Sequence, residues 1–161
     1  MRFAVLALVS ASVWAQAPLP ANFSAAGAAA QNGRISGWGE ACHQAPDSSL
    51  FGLVVKSYGC IASDYRPQGT SARVDLDTVL HAGRWTAGTK TGVGGAYNQT
   101  SAGSSVTLGG WGALRLGTVY VVGSVCWSKD DLQRAVGSST VVFEKVRAAT
   151  IVRLGIGKGW Q

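Results

Sequence analysis

The chain is short of charge. Only 14% of its 161 residues are Asp, Glu, Lys or Arg, against about 25% in a typical soluble domain. Past Trp14 no apolar run approaches the roughly 20 residues that a transmembrane helix needs. That excludes helical spans but not strands, whose alternation hides them from a hydropathy scan. The three cysteines, Cys42, Cys60 and Cys126, are spaced 18 and 66 residues apart. This fits no zinc pattern, and an odd count leaves at least one thiol outside any intramolecular pair. They read as small strand residues with room for one disulfide. The 14 Lys and Arg outnumber the eight acids, yet they are dispersed and not interleaved with aromatics, which argues against nucleic acid as a partner. There are two histidines and no G-x-S-x-G elbow, so the chain is read as no enzyme, with no cofactor and no metal.

Glycine is plentiful, 22 residues, and it lies within stretches that alternate in polarity. The clearest stretch runs from Ser104 to Lys129. Val106, Leu108, Gly110, Gly112, Leu114 and Leu116 share one face, and Ser105, Thr107, Gly109, Trp111, Ala113 and Arg115 share the other. Past Gly117-Thr118, Val119, Val121, Val125 and Trp127 oppose Tyr120, Ser124, Cys126 and Ser128. A period of two is the signature of a pleated strand. Arms of about a dozen residues exceed the usual soluble strand and meet the 9–11 residues of a tilted membrane-crossing strand.

Met1-Arg2 followed by the apolar run Phe3–Trp14 has the layout of a cleaved secretory leader. Cleavage after Ala15 keeps Pro18 away from the scissile bond, giving a leader over 1–15 and one domain over 16–161. Within that domain the pattern predicts strands over 22–31, 34–43, 50–63, 72–82, 85–97, 104–116, 119–129 and 140–160. Asn32-Gly33 is a preferred two-residue hairpin turn, and 45–49 is a turn by composition. The loops expected to be exposed and open to surface partners are 64–71, 97–104 and 129–139. The fold class expected is all-β: an eight-stranded antiparallel up-and-down barrel.

With the apolar rows outward, the inward groups include Glu40, Arg73, Asp75, Asp77, Lys90, Arg115 and Arg153. Lys56, His81, Lys145 and Arg147 fall on the same side. Eight strands leave an interior that side chains can just fill, and buried charges must pair, so these residues are expected to form a lumenal network. Trp85 and Tyr97 end one face of the 85–97 strand, separated by roughly 28 Å of height if the strand tilts by about 45°. With Trp127 and Trp160 they are the expected aromatic girdle.

The exported start, the eight alternating segments and the aromatic ends together resemble the small eight-stranded bacterial outer-membrane β-barrels. A Ser71-Ala72-Arg73 stretch before one hairpin and a Gly-rich last strand also resemble a type of exported bacterial protein. The resemblance implies an outer-membrane location, contact with outer-membrane lipid, and insertion by the outer-membrane machinery through the last strand. In that family the last strand ends on an aromatic residue; here Gln161 follows Trp160. Two alternatives share the period of two: an exported soluble barrel binding a small ligand in its mouth, and a narrow pore between the lumenal charges.

Overall fold

The computed structural model describes residues 19–50, 53–66, 69–136, 140–143 and 147–160. The leader expected over 1–15 lies outside them. Among the described residues there are ten strands: β1 (Asn22–Gln31), β2 (Arg34–Gln44), β3 (Ser48–Leu50), β4 (Leu53–Arg66), β5 (Gly69–Ala82), β6 (Trp85–Tyr97), β7 (Ala102–Leu116), β8 (Val119–Val136), β9 (Thr140–Phe143) and β10 (Arg147–Gly159). Eight of them, all but β3 and β9, pair with their chain neighbours as an antiparallel meander, and β10 closes the ring by pairing with both β8 and β1. A closed ring has no free sheet edge.

The register sets the barrel's shape. The ladder of paired residues starting at Gln31 passes through Ile151, Cys126, Gly109, Lys90, Asp77, Tyr58 and Gln44. The Gln44 amide donates to the Ala21 carbonyl, so one circuit descends from residue 31 to residue 21 of the same strand. A shear of ten on eight strands corresponds to a tilt of about 43° and a radius of about 8 Å.

Local chemistry explains the turns. Asn32 and Gly33 both have positive φ, 50° and 73°, the conformation of a hairpin turn whose twist matches its strands. Gly83 and Gly117 supply positive φ at the other two-residue turns. These two turns, the start of β1 and the end of β10 mark one end of the barrel, the base. The 32–33 turn, the 98–101 loop and the β8–β9 hairpin mark the rim.

The expected loops shrink. Asp64 and Ser71 belong to β4 and β5, which pair as far as Arg66 and Gly69, so the 64–71 loop is corrected to the positions between them; 67–68 lie outside the described residues. The 97–104 loop is corrected to 98–101, where the Asn98 side chain accepts the Thr100 and Ser101 amides at 2.9 and 2.7 Å. The 129–139 loop is corrected as well: β8 continues to Val136, paired with β7 up to Gln133 and then with β9. At 64–71 and 129–139 the polar residues Asp64, Ser71 and Asp130, read as loop, are lumen-facing residues of strands. The single last strand expected over 140–160 is two, β9 and β10. At the base, β3 overlaps the end of the expected 45–49 turn and folds back on the start of β4.

Candidate functional site: the ionic lumen and the apolar outer wall

Alternation gives each strand one inward row. In β5 this row carries Ser71, Arg73, Asp75, Asp77 and Val79, all buried. In β6 it carries Thr86, Lys90 and Ala96, in β2 Trp38, Glu40 and Cys42, and in β10 Ile151 and Arg153. Barrel closure brings these rows together at mid-height. The Lys90 ammonium lies 2.6 Å from Glu40 Oε2, 2.8 Å from Asp77 Oδ2 and 3.6 Å from Asp75 Oδ2. Arg73 Nε donates to Asp75 Oδ1 at 3.3 Å, and its terminal nitrogen reaches Asp64 and Ser71 Oγ. Arg153 grips Asp64 with two parallel hydrogen bonds of 2.8 Å, the bidentate geometry that makes Arg–carboxylate pairs strong.

The result is one continuous chain of charge, Glu40–Lys90–Asp77/Asp75–Arg73–Asp64–Arg153, crossing the lumen between strands distant in sequence. Four carboxylates meet three cations in it, and all seven residues are buried. Within it Asp75 Oδ2, Asp77 Oδ1 and one terminal nitrogen of Arg153 have no hydrogen-bond partner among the described residues.

Six of the seven expected lumenal residues fall in this chain. Arg115 does not. It is half-buried near the base, where its Nε donates to the Gly117 carbonyl at 3.0 Å. Lys56 is at the base too, 3.9 Å from Asp47, and His81 Nδ1 pairs with Thr86 Oγ1 at 2.8 Å. The side chains of Lys145 and Arg147 lie outside the described residues. Sequence reasoning missed Asp64, on which two arginines converge. Its signal was present: Tyr58, Cys60, Ala62 and Asp64 continue one alternation, but Pro67 and Gly69 just beyond it read as a loop.

Below the charges the lumen is closed by aromatics. The Phe23 ring meets Trp111 at 6.2 Å and Tyr120 at 5.5 Å between centroids, edge to face in both cases, the arrangement that aromatic quadrupoles favour. Tyr58 Oη donates to the Leu19 carbonyl at 3.1 Å, which holds the segment before β1 across the base. Trp111 joins the two zones, its indole N–H reaching Glu40 Oε1 at 3.3 Å. Cys42 and Cys60, directly paired across β2 and β4, form a buried disulfide, and Cys126 is a buried free thiol. The two sulfurs lie close to Asp77, but joined to each other they offer no thiolate to a metal.

The outer wall has the opposite character. Ile35, Ile61, Val74, Leu76, Val93, Leu108, Val125, Leu154 and Ile156 all point outward and are exposed, Ile35 by 76%. Trp85 and Tyr97 stand at the two ends of β6 and Trp160 follows the end of β10, all three exposed. Trp127 is exposed as well, but in the middle of β8 rather than at an end, so its expected place in a girdle is corrected.

Fold and site together define a class: a closed eight-stranded antiparallel meander barrel with ion pairs at its centre and an apolar exterior. No protein-family model matches the chain, and no curated protein or solved structure matches it.

Proposed function

We propose that the chain is an integral bacterial outer-membrane β-barrel with a structural or surface-interaction role. The observation that supports this is the inverted polarity. A water-soluble barrel gains stability by turning Val, Leu and Ile away from solvent; here those rows face out and seven charged side chains are buried. In a bilayer the same arrangement is the stable one, because acyl chains cover the outer rows and the ion pairs satisfy one another inside. The strands fit that setting. Twelve steps from Trp85 to Tyr97 at a tilt of about 43° span about 29 Å, close to the roughly 30 Å of a bilayer's hydrocarbon core. No helix is long and apolar enough to cross a membrane, which says nothing of strands.

On this reading the leader over 1–15 directs export, outer-membrane lipid contacts the wall, and the insertion machinery engages β10 near Trp160. Surface partners meet the rim at 98–101 and at the β8–β9 hairpin. The role is non-catalytic. His43 and His81 lie on different strands, and each has a structural partner, Asn22 for the first and Thr86 for the second. The filled lumen gives little support to a ligand mouth or a pore.

The test is heat modifiability with liposome insertion. The unheated protein is expected to run ahead of the boiled sample on a denaturing gel and to resist carbonate extraction from vesicles. A monodisperse, folded protein in buffer without detergent overturns the reading.

A further inference from the structure

The charge chain has an acid-rich pole. There Lys90 faces three carboxylates, those of Glu40, Asp75 and Asp77. Asp77 is 2% exposed. Its Oδ2 meets the Lys90 ammonium, and its Oδ1 has no hydrogen-bond partner among the described residues. A buried acceptor without a donor is costly. The disulfide abuts this same carboxylate, with Cys60 Sγ 3.7 Å from Asp77 Oδ2. Both sulfurs and a carboxylate oxygen of Asp77 stand within 4.8 Å of one another, and all three residues are buried.

Strand register fixes the grouping. Glu40 pairs with Ala62 and Gln44 with Tyr58, so Cys42 and Cys60 stay opposite each other whether or not their sulfurs are bonded. Tyr58 pairs with Asp77 and Cys60 with Asp75. Asp77 therefore approaches Cys60 diagonally on the inward face. Two thiolates and a carboxylate are a zinc donor set. With bonds of about 2.3 Å to sulfur and about 2.0–2.2 Å to oxygen, ligand atoms on a tetrahedral ion stand about 3.5–3.8 Å apart. Rotation of the freed cysteine side chains about Cα–Cβ opens the sulfurs to that spacing.

The charges balance as well. Two electrons from a dithiol or phosphine reductant break the S–S bond, and two protons complete two thiols. A divalent cation then displaces both protons to solvent. One dication on two thiolates is neutral, as the disulfide was. The interior passes from one form to the other without gaining the net charge that burial penalises.

We propose that Cys42, Cys60 and Asp77 form a redox-controlled site for one thiophilic divalent cation of the zinc class, open to the ion when the cysteines are reduced and closed when they are joined. Asp77 Oδ1 supplies the oxygen while Lys90 holds Oδ2. The ion enters before the ring closes, because the closed barrel buries all three ligands. The site goes beyond the membrane reading and does not depend on it.

The test uses cadmium(II) as the probe, in a Cys126→Ser background so that no third thiol contributes. The chain is refolded in detergent, or in buffer if it folds there, with a phosphine reductant and cadmium(II), and the unheated gel band reports folding. Folded protein is expected to hold one cadmium per chain, with the ultraviolet thiolate-to-cadmium band and a cadmium nuclear resonance between those of all-sulfur and all-oxygen sites. Protein oxidised before cadmium is added, and reduced Cys42→Ser, are expected to hold none. Asp77→Asn is expected to keep the thiolate band and weaken binding by roughly tenfold or more, since even a partner outside the ligand set is worth about 10–100-fold. Should that variant not fold, the resonance of the background protein decides the oxygen ligand. Absence of cadmium from folded reduced protein, binding confined to unfolded chain, equal binding by the oxidised or Cys42→Ser protein, an all-sulfur resonance, or unchanged affinity in Asp77→Asn each overturns the proposal.

Discussion

At the scale of single residues, the lumenal charges differ in what their loss would do. Asp64 is the shared partner of Arg73 and Arg153, so Asp64→Asn leaves two buried guanidinium groups facing a neutral amide. Breaking a buried pair in this way costs about 3–5 kcal/mol. Lys90→Met removes the only cation within 4 Å of Asp77 among the described residues and leaves Glu40, Asp75 and Asp77 to repel one another, so its loss is expected to be at least as large. Thr107→Val is the contrast: the hydroxyl contacts Ser128 at 3.5 Å, the outer limit of a hydrogen bond, and the change is expected to cost under about 1 kcal/mol. Urea unfolding of the folded band in lipid or detergent gives the order; equal midpoints for Asp64→Asn and Thr107→Val would contradict the ion-pair account. The thiols carry a second prediction. Without reduction, alkylation after unfolding is expected to label Cys126 alone, because Cys42 and Cys60 are joined. Labelling of Cys42 or Cys60 would contradict the pairing.

At the scale of strands, glycine separates into two populations by face. Most inward glycines sit where the neighbouring strand's backbone comes so close that no Cβ fits, which lets the sheet curl into a narrow ring. At Gly88 the obstacle is the Thr78 carbonyl and at Gly109 the Val125 carbonyl. Gly109→Ala is therefore expected to lower stability by a few kcal/mol, roughly the cost of overpacking a core, while Gly37→Ala, with nothing within 4 Å of the added carbon, is expected to leave the midpoint within about 0.5 kcal/mol. The same two-sidedness governs what could be read before the structure. Alternation and the turn pairs Asn32-Gly33 and Gly117-Thr118 made the strands, their number and their facing legible, along with six members of the charge chain. Strand ends were not legible, because Asp64, Ser71 and Asp130 are polar and a polar residue near a proline or a run of charges reads as loop. Polarity cannot separate a loop from the wall of a polar lumen. Nor did spacing alone choose among three cysteines: Cys42 meets Cys60 because a turn and the small β3 hairpin occupy the intervening chain and leave β2 and β4 in register.

At the scale of the whole molecule, the barrel is divided along its axis. The rim half is polar: Asp64 with its arginines, and Ser105 donating to Asp130 at 2.7 Å. The base half is an aromatic and aliphatic plug of Phe23, Tyr58, Val79, Trp111 and Tyr120, all buried. An ion entering from the rim meets paired charges and then rings packed edge to face, with Leu19 held across the base beneath them. This packing is expected to bar a hydrated ion, so wild-type protein in a planar bilayer is expected to show no steady conductance. Removing the ring at the centre of the plug is the informative change. Phe23→Ala deletes the side chain that both Trp111 and Tyr120 abut, and loss of a buried phenylalanine costs about 3–5 kcal/mol through the cavity it leaves. The ion-pair chain above loses none of its own members. The variant is thus expected to fold with a lower urea midpoint and to admit small ions intermittently. Steady conductance in the wild type, or a Phe23→Ala variant as stable and as closed as the wild type, would show that the seal lies elsewhere than in the packing of these rings.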